Sequence, residues 1–523
     1  MKYSRFVGVM VLLTCFNAAT SLVAPVLLSV WSRNDQSIDL VKAGILLGIL
    51  LGTIAINIVI VYFREQFAVE FNVSHGKELF GYFVDVDYDT INEAGPTSMI
   101  EKILMAVNNS YRYYTSDAIE IWSNLLILFA LLLMTFLTNI LIACMLLILV
   151  PINYFGYKWL NKELLQRSKD MQEKTSEGAQ SLISIAGQTD YLKQSSDHTN
   201  VLEQIATPLK KMYQAMSKVN KFGQISHQLF SNINDICRVF IMVLVVYEFT
   251  SQTTNVVDLI FFTVVLPIYF SGLTKIVSAN LSKRDLIASK EFVQWMRDNK
   301  EENGERELAQ VDSIRLDIKT LQVNNVILGR DIEAAFTKGD IVWVKGESGS
   351  GKSTLLKLLP KFRTADTVYI NEIDLREYTN ASLRKQVEYL SQNVPIIHGT
   401  LLENLFFNKA YSKEAEITMQ QDPLLQTILA EKSLDAEIFE NGSNLSGGEK
   451  QKIAFIRALY NEADILILDE ITSNIDVKSA VEIYDRMKEV AAEKIIFAIT
   501  HSDALDGIAN KVIDLDVRNR YTC

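Results

Sequence analysis

The chain has 523 residues, of which 49% are hydrophobic and 22% are charged, and its formal net charge is −11. This composition excludes a disordered chain, which would carry too little apolar surface, and four cysteines in so long a chain exclude a disulfide scaffold. The acidic balance argues against nucleic acid as a partner. A mean hydropathy of +0.14 beside so much charge indicates two regions of different composition.

The apolar residues are concentrated in the first half of the chain, in four stretches with few charges. Residues 6–32 and 43–63 contain no charged side chain at all. A bilayer core of about 30 Å needs about 20 apolar residues per helix, and the stretches 118–157 and 239–274 are each long enough to contribute to two. We therefore predict six transmembrane helices, at 6–31, 39–63, 118–137, 140–160, 229–250 and 256–278.

Lysine and arginine are concentrated in the two long loops, 64–117 and 158–228, and are absent from the short turns at 139 and 251–257. By the positive-inside rule, we expect the long loops and both termini to be cytoplasmic. Apolar residues recur in the long loops at helical spacing, so the membrane helices are predicted to continue into the cytoplasm. An alternative for residues 1–31 is a cleaved signal peptide, since the first five residues resemble a charged n-region.

Past residue 280 the composition changes. Residues 281–298 predict an amphipathic helix, and the charged run 297–307 predicts a solvated linker. From about residue 311, short β-rich runs alternate with helical stretches, which predicts a mostly parallel α/β sheet. The strand-like runs are 341–344, 387–390, 465–468 and 495–499.

A glycine-rich segment follows the strand-like run that ends at Val344 and precedes an apolar helix. Glycines let successive backbone N–H groups converge on phosphate oxygens, and the helix N-terminus adds a partial positive charge. In this P-loop pattern Lys352 would reach the β- and γ-phosphates of a nucleotide, and the Ser353 hydroxyl would bind Mg²⁺. The predicted loop and helix start comprise Gly346, Glu347, Ser348, Gly349, Ser350, Gly351, Lys352, Ser353 and Thr354.

The apolar run 465–468 ends in two carboxylates, Asp469 and Glu470. Ligands of open α/β sheets bind at the carboxyl ends of the strands, so both side chains are predicted to face the nucleotide. Asp469 would organise Mg²⁺ and its water, and Glu470 would polarise the attacking water as general base.

A third segment, Leu445-Ser-Gly-Gly-Glu449, precedes a predicted helix, and Ser446, Gly447 and Gly448 would form a second helix N-terminus suited to an anion. Together the three segments resemble the ATP-binding cassette of ABC transporters. Six membrane helices followed by one cassette resemble an exporter-type half-transporter. The resemblance implies a transmembrane domain at 1–298, a linker at 299–310 and a nucleotide-binding domain at 311–523.

The resemblance also implies roles for single residues. Gln392 is similar to the Q-loop glutamine that touches Mg²⁺, and the segment ending at Asp476 is similar to the D-loop. His501 is similar to the switch histidine that contacts the γ-phosphate. The family usually carries an aromatic residue that stacks on adenine, but residues 315–335 contain none, and the expected place falls near Val323–Asn325. We therefore expect weaker nucleotide affinity or relaxed base selectivity.

In family members, each ATP lies between the P-loop of one chain and the signature residues of another, here Ser446 to Glu449. A dimer with a second half-transporter is therefore implied, as a homodimer or a heterodimer, with ATP and Mg²⁺ as cofactors and the lipid bilayer as surroundings. Coupling helices are expected near 86–95 and 181–192, with Tyr88 and Tyr191 as candidate contacts with the cassette surface around Gln392.

We expect ATP-driven export of a peptide or an amphipathic small molecule across a bacterial plasma membrane, in which the chain is multi-pass. A lipid flippase, or a membrane-anchored ATPase with a sensing or regulatory role, are the alternatives. Because the first predicted helix starts close to Met1, we expect no fused leader-peptidase domain.

Overall fold

The computed structural model describes residues 40–194, 198–251, 256–323, 326–363, 367–407, 411–473, 475–500 and 505–516, with isolated positions between 16 and 30. The predicted helix 6–31 therefore lies almost wholly outside the described residues. The chain divides into two compact units. One comprises Met1–Val86 and Thr90–Lys300, and the other comprises Asp87–Asp89 and Glu301–Cys523.

Helices occupy the described residues between 40 and 298, because apolar backbone in a bilayer must satisfy its own hydrogen bonds. They are α1 (Leu40–Asp85), α2 (Tyr88–Ala94), α3 (Pro96–Arg112), α4 (Ala118–Thr138), α5 (Ile140–Ala186), α6 (Thr189–Gln194), α7 (His198–Thr250) and α8 (Val256–Asp298). A π-helical turn, Tyr113–Asp117, joins α3 to α4. The short helix α2 lies within the predicted coupling region 86–95, whereas the predicted region 181–192 covers the end of α5 and the start of α6.

The helices are longer than a bilayer requires. The predicted spans 118–137, 140–160, 229–250 and 256–278 fall within α4, α5, α7 and α8, and residues 40–63 of the second predicted span lie in α1. The helices α5, α7 and α8 are 47, 53 and 43 residues long. This confirms that helices continue well past the predicted spans. Among the described residues, four helical segments are long and apolar enough to cross a membrane, at 96–138, 140–186, 199–250 and 261–298.

Polar side chains inside the first unit make hydrogen bonds between helices. Asn153 of α5 and Asn234 of α7 are both buried and exchange amide hydrogen bonds at 3.1 and 3.2 Å. The buried Tyr269 of α8 donates its hydroxyl proton to the carbonyl oxygen of Leu146 at 2.8 Å. Such pairs fix helix register where apolar packing alone specifies it weakly.

We predict that Asn234→Ala destabilises the helix bundle by about 0.6–2 kcal/mol, because it removes both amide hydrogen bonds and leaves Asn153 without its partner on α7. Denaturation of the protein in mixed micelles would measure the loss. The matched control is Asn232→Ala, which removes an exposed amide from the same helix. Equal stability of the two variants would contradict this role for the pair.

The described residues of the second unit form three sheets. Their strands are β1 (Ser313–Val323), β2 (Val326–Thr337), β3 (Ile341–Lys345), β4 (Val368–Ile370), β5 (Ile373–Asp374), β6 (Val387–Leu390), β7 (Gly399–Thr400), β8 (Glu437–Ile438), β9 (Ile465–Asp469), β10 (Ile495–Ile499) and β11 (Lys511–Asp514). The five-stranded sheet has the order β11-β3-β10-β9-β6, and each neighbouring pair in it is parallel. A four-stranded antiparallel sheet has the order β2-β1-β4-β5, and β7 pairs with β8.

The helices of this unit are short. They are α9 (Lys352–Leu356), α10 (Asn380–Lys385), α11 (Leu401–Phe406), α12 (Lys413–Gln420), α13 (Pro423–Leu429), α14 (Gly447–Leu459) and α15 (Val477–Ala491). The four strand-like runs and the parallel sheet are confirmed. The antiparallel sheet is an addition that the sequence did not predict, since its strands lack the continuous apolar character of the parallel ones.

The parallel sheet is buried on both faces. Every residue of β9 and β10 is buried. Ile465 and Phe497 face one apolar cluster, whereas Leu466 and Ile496 face another. Parallel strands covered on both faces read as continuous apolar runs, which is why these runs were recognisable in the sequence.

Residues 301–310, most of the linker predicted at 299–310, are part of the second unit. Glu301 pairs with Arg384 at 2.9 Å, and the Gly304 N–H donates to the carbonyl oxygen of Tyr378 at 3.1 Å. Leu308 is buried. The charge run therefore contains residues with fixed partners, and its charges alone did not reveal this.

Candidate nucleotide-binding site

The glycine-rich loop lies between β3 and α9 and turns sharply. Gly346, Gly349 and Gly351 all have positive φ, at 149°, 85° and 95°. Gly351 is the N-cap of α9, and a Cβ at this position would lie 2.9 Å from the Cβ of Leu328. Glycine is required there both by the left-handed backbone and by the neighbouring strand.

Lys352 lies across the loop. Its side chain is 7% exposed, and its Nζ donates to the carbonyl oxygens of Gly346 and Glu347, each at 2.8 Å. Within the described part of the chain, Ser350 Oγ is buried without a hydrogen-bond partner. Asp516 accepts a hydrogen bond from the Glu347 N–H at 2.9 Å. The loop thus has a fixed shape, an ammonium group inside it and an unsatisfied hydroxyl.

The two carboxylates at the end of β9 differ in surroundings. Asp469 is 6% exposed, whereas Glu470 is half-buried and has a φ of 56°. A positive φ is unfavourable for a non-glycine residue and often marks a functional site. The Glu470 N–H donates to the Ile499 carbonyl oxygen at 3.1 Å, which holds this conformation against β10.

The structure brings Gln392 to Glu470. The Gln392 Nε2 donates to Glu470 Oε2 at 2.9 Å, although the two residues are far apart in sequence. The segment 391–398 follows β6, which is the neighbour of β9 in the sheet. The predicted Q-loop residue and the predicted base therefore share one edge of the sheet.

Tyr389 is a site residue that the sequence analysis missed. It lies on β6 and donates its hydroxyl proton to Asp469 Oδ2 at 2.9 Å. Burial and the Asp469 carboxylate raise the pKa of Tyr389, so the hydroxyl stays protonated. Tyr389 is brought to Asp469 by the pairing of β6 with β9, and the sequence does not show which strands are neighbours.

The oxygen donors at this edge suit a hard cation. Ser353 offers a hydroxyl, Asp469 a carboxylate and Gln392 an amide oxygen, and Mg²⁺ prefers a few protein oxygens together with phosphate and water. Asp469 is buried and accepts a hydrogen bond from the Tyr389 hydroxyl, and a cation nearby would further stabilise its charge.

The signature segment forms a helix N-terminus, as predicted. Ser446 is the N-cap of α14, and a capping box joins its side chain and backbone to Glu449. Glu449 also pairs with Lys432. Burial alone would raise the pKa of Glu449, but the hydrogen bonds from Lys432 and Ser446 outweigh it and lower this pKa. Its carboxylate is thus occupied in shaping the helix start, and Gly447 and Gly448 begin the helix.

Asp476, predicted in the D-loop, is the N-cap of α15. Its carboxylate accepts from the Ser479 N–H at 2.9 Å and pairs with Lys452 of α14 at 3.2 Å. Gln451 of α14 likewise donates to Ser473 Oγ at 3.3 Å. The signature helix and the D-loop segment are therefore joined by side chains that sequence spacing did not connect.

Three expectations cannot be placed on the structure. His501 and the residues 324–325, where the adenine contact is expected, lie outside the described residues. Tyr191 has no described side chain. Tyr88, by contrast, stacks on Phe362 with ring centroids 5.3 Å apart, and Phe362 meets Tyr389 edge to face at 6.1 Å.

Comparison with known proteins agrees with this geometry. Residues 330–473 match the ABC transporter family. The whole chain resembles a solved structure described as a bacterial Atm1-family ABC exporter with ATP bound, with a TM-score of 0.85, 18% identity, and coverage of 98% of this chain and 94% of that one. The chain is therefore similar to ABC transporters in the segment 330–473 and in its fold. It has the fold of an exporter-type half-transporter, in which a helical membrane domain precedes one cassette.

Two curated relatives that match this chain carry functional names. The sublancin-168-processing and transport ATP-binding protein SunT of Bacillus subtilis is 31% identical over 265 residues, which are 48% of this chain and 37% of SunT. The ATP-dependent lipid A-core flippase of Ralstonia nicotianae is 23% identical over 436 residues, which are 80% of this chain and 73% of the flippase. The chain thus spans little more than a third of SunT.

We predict that Gly351→Ala weakens ATP binding at least tenfold, since its Cβ would meet Leu328 and its φ of 95° suits glycine. Titration with a fluorescent ATP analogue would measure the affinity. Gly339→Ala is the matched control, because Gly339 has a φ of 98° but nothing within 4 Å of its Cβ position. Equal losses in the two variants would show general strain instead of a loop effect.

Proposed function

We propose that the protein is an ATPase that drives export of a substrate across a membrane as a dimer of half-transporters. The proposal is carried by two hydrogen bonds at the carboxyl edge of the parallel sheet, from Gln392 to Glu470 and from Tyr389 to Asp469. The P-loop follows β3 at the same edge of this sheet. Long apolar helices in the same chain and the ABC exporter fold support transport.

In this proposal the P-loop holds the phosphates, with Lys352 turning from the carbonyl oxygens of the loop toward the β- and γ-phosphates. Ser353, Asp469 and Gln392 would hold Mg²⁺, which neutralises phosphate charge when bound. Glu470 accepts a proton from the attacking water, and its contact with Gln392 orients the carboxylate. His501 would contact the γ-phosphate.

One chain supplies one P-loop and one signature helix, so a second chain completes each site. Ser446, Gly447 and Gly448 would bind the γ-phosphate side of ATP held by the partner, with Glu449 shaping the helix start and Asp476 joining α15 to α14. We favour a homodimer, because every predicted catalytic position is present in this chain. We place the membrane domain at 1–298, the linker at 299–310 and the cassette at 311–523, with the cassette and both termini in the cytoplasm of a bacterium.

For the substrate we propose a peptide or an amphipathic small molecule, which the name of the SunT relative favours. The name of the flippase relative favours a lipid as the second candidate. Both classes fit a membrane domain whose predicted spans contain few charged residues.

The test is transport by the purified protein in proteoliposomes that contain an ATP-regenerating system. We predict ATP-dependent uptake of a labelled peptide, and abolition of uptake and hydrolysis by Glu470→Gln, which keeps the contact with Gln392 but removes the base. In native mass spectrometry, the ATP-loaded Glu470→Gln protein should have twice the 59.2 kDa mass of one chain. Movement of a labelled lipid without peptide uptake would favour the flippase, and rapid phosphate release by the variant would refute the assigned base.

A second prediction concerns base selectivity. Without an aromatic residue in 315–335, the protein should bind ATP and GTP with similar Kd values, since base–aromatic stacking contributes about 1–3 kcal/mol in comparable contacts. Competition against one fluorescent nucleotide would compare the two directly, with CTP as a control for a smaller base. A strong preference for ATP would overturn the expectation.

A further inference from the structure

We propose that Tyr389 is a positioning residue for Asp469 and thereby sets the affinity of the magnesium site. The proposal rests on the proposed function, because Asp469 is assigned there to the cation. It concerns a hydroxyl that no sequence motif marks. Tyr389 touches neither nucleotide nor cation in this assignment and acts only through the carboxylate.

The geometry gives the hydroxyl one defined task. Tyr389 OH lies 2.9 Å from Asp469 Oδ2, and Asp469 ends β9 with 6% exposure. The carboxylate is therefore held by a donor from the adjacent strand, which limits its rotation. Hydrogen bonds to carboxylates that bind metals orient them, and their loss typically weakens metal binding about 10–100-fold.

The ring of Tyr389 is itself held in place. Phe362 meets it edge to face at 6.1 Å, and Tyr88 stacks on Phe362 at 5.3 Å with an interplanar angle of 11°. The Arg384 guanidinium lies 5.3 Å from the Phe362 ring. Offset and edge-to-face contacts restrict ring motion, so the hydroxyl is presented to Asp469 from a fixed direction.

The three rings of Tyr389, Phe362 and Tyr88 form an aromatic series, and Tyr88 at its far end contacts the residue that follows the P-loop helix. Lys357, directly after α9, donates to Tyr88 OH at 3.1 Å, and Arg363 pairs with Asp89 at 2.9 Å. All of these residues belong to one compact unit, since Asp87–Asp89 are part of the second unit. This aromatic series thus connects the region after α9 with the Asp469 carboxylate at the end of β9.

A purely structural role for Tyr389 makes a different prediction. If the hydroxyl served only to satisfy buried Asp469, its removal would lower stability and would lower nucleotide affinity whether or not metal is present. A positioning role lowers metal affinity specifically. The structural role and the positioning role are distinguished by measuring metal binding and metal-free nucleotide binding in the same variant.

The experiment compares the full-length wild type, Tyr389→Phe and Tyr378→Phe. Tyr378→Phe is the matched control, because Tyr378 is a buried tyrosine of the same unit and donates to the backbone oxygen of Ile370 at 3.1 Å. Binding of Mn²⁺ to the ATP-loaded protein is followed by electron paramagnetic resonance. Binding of a fluorescent ATP analogue is followed separately in EDTA.

We expect Tyr389→Phe to weaken Mn²⁺ binding about tenfold and to leave nucleotide affinity in EDTA unchanged. Tyr378→Phe should match the wild type in both. Phe362→Leu, which keeps the Tyr389 hydroxyl but removes the ring beside it, should weaken Mn²⁺ binding by a smaller factor.

Wild-type Mn²⁺ affinity in Tyr389→Phe would overturn the inference, as would an equal loss of affinity in EDTA. If the wild type hydrolyses ATP and Glu470→Gln does not, the proposed function stands even when this inference fails. If the wild type binds neither nucleotide nor Mn²⁺, both fail together.

Discussion

Parallel pairing of β3, β10, β9 and β6 is the constraint on which the candidate site depends. Parallel strands present all their carboxyl ends at one edge, so segments distant in sequence meet there. The P-loop follows β3, Asp469 and Glu470 end β9, and Gln392 follows β6. The contact of Gln392 with Glu470 across the edge is a direct result of this order.

Burial of the sheet decides where charge is possible. The central strands β9 and β10 have no exposed residue, so charged side chains occur only where the strands end. At that edge Asp469 remains largely buried and accepts a hydrogen bond from the Tyr389 hydroxyl. Glu470 has a strained backbone conformation, which is held by the hydrogen bond from its N–H to the Ile499 carbonyl oxygen of β10. Polar groups with fixed donors in a buried edge are well ordered before a ligand arrives.

The signature helix has a different role in the proposed function, where it forms a surface for another chain. Its N-terminus is defined by the Ser446–Glu449 capping box, and Lys432 and Lys452 tie it to neighbouring segments. A helix N-terminus with small residues accepts a phosphate without side-chain contacts. In the proposed dimer, this helix start is the part of the site that one chain would offer to its partner.

The sequence by itself determined the elements whose chemistry is local. Continuous apolar runs predicted the membrane helices and the buried strands, and the glycine spacing before Lys352 predicted the loop, because these depend only on neighbouring residues. The tertiary structure alone decided which strands are adjacent, and hence that Tyr389 meets Asp469, that Glu301 meets Arg384 and that Asp516 meets the loop. Such contacts join residues of unremarkable local sequence across long separations, and no local pattern records them.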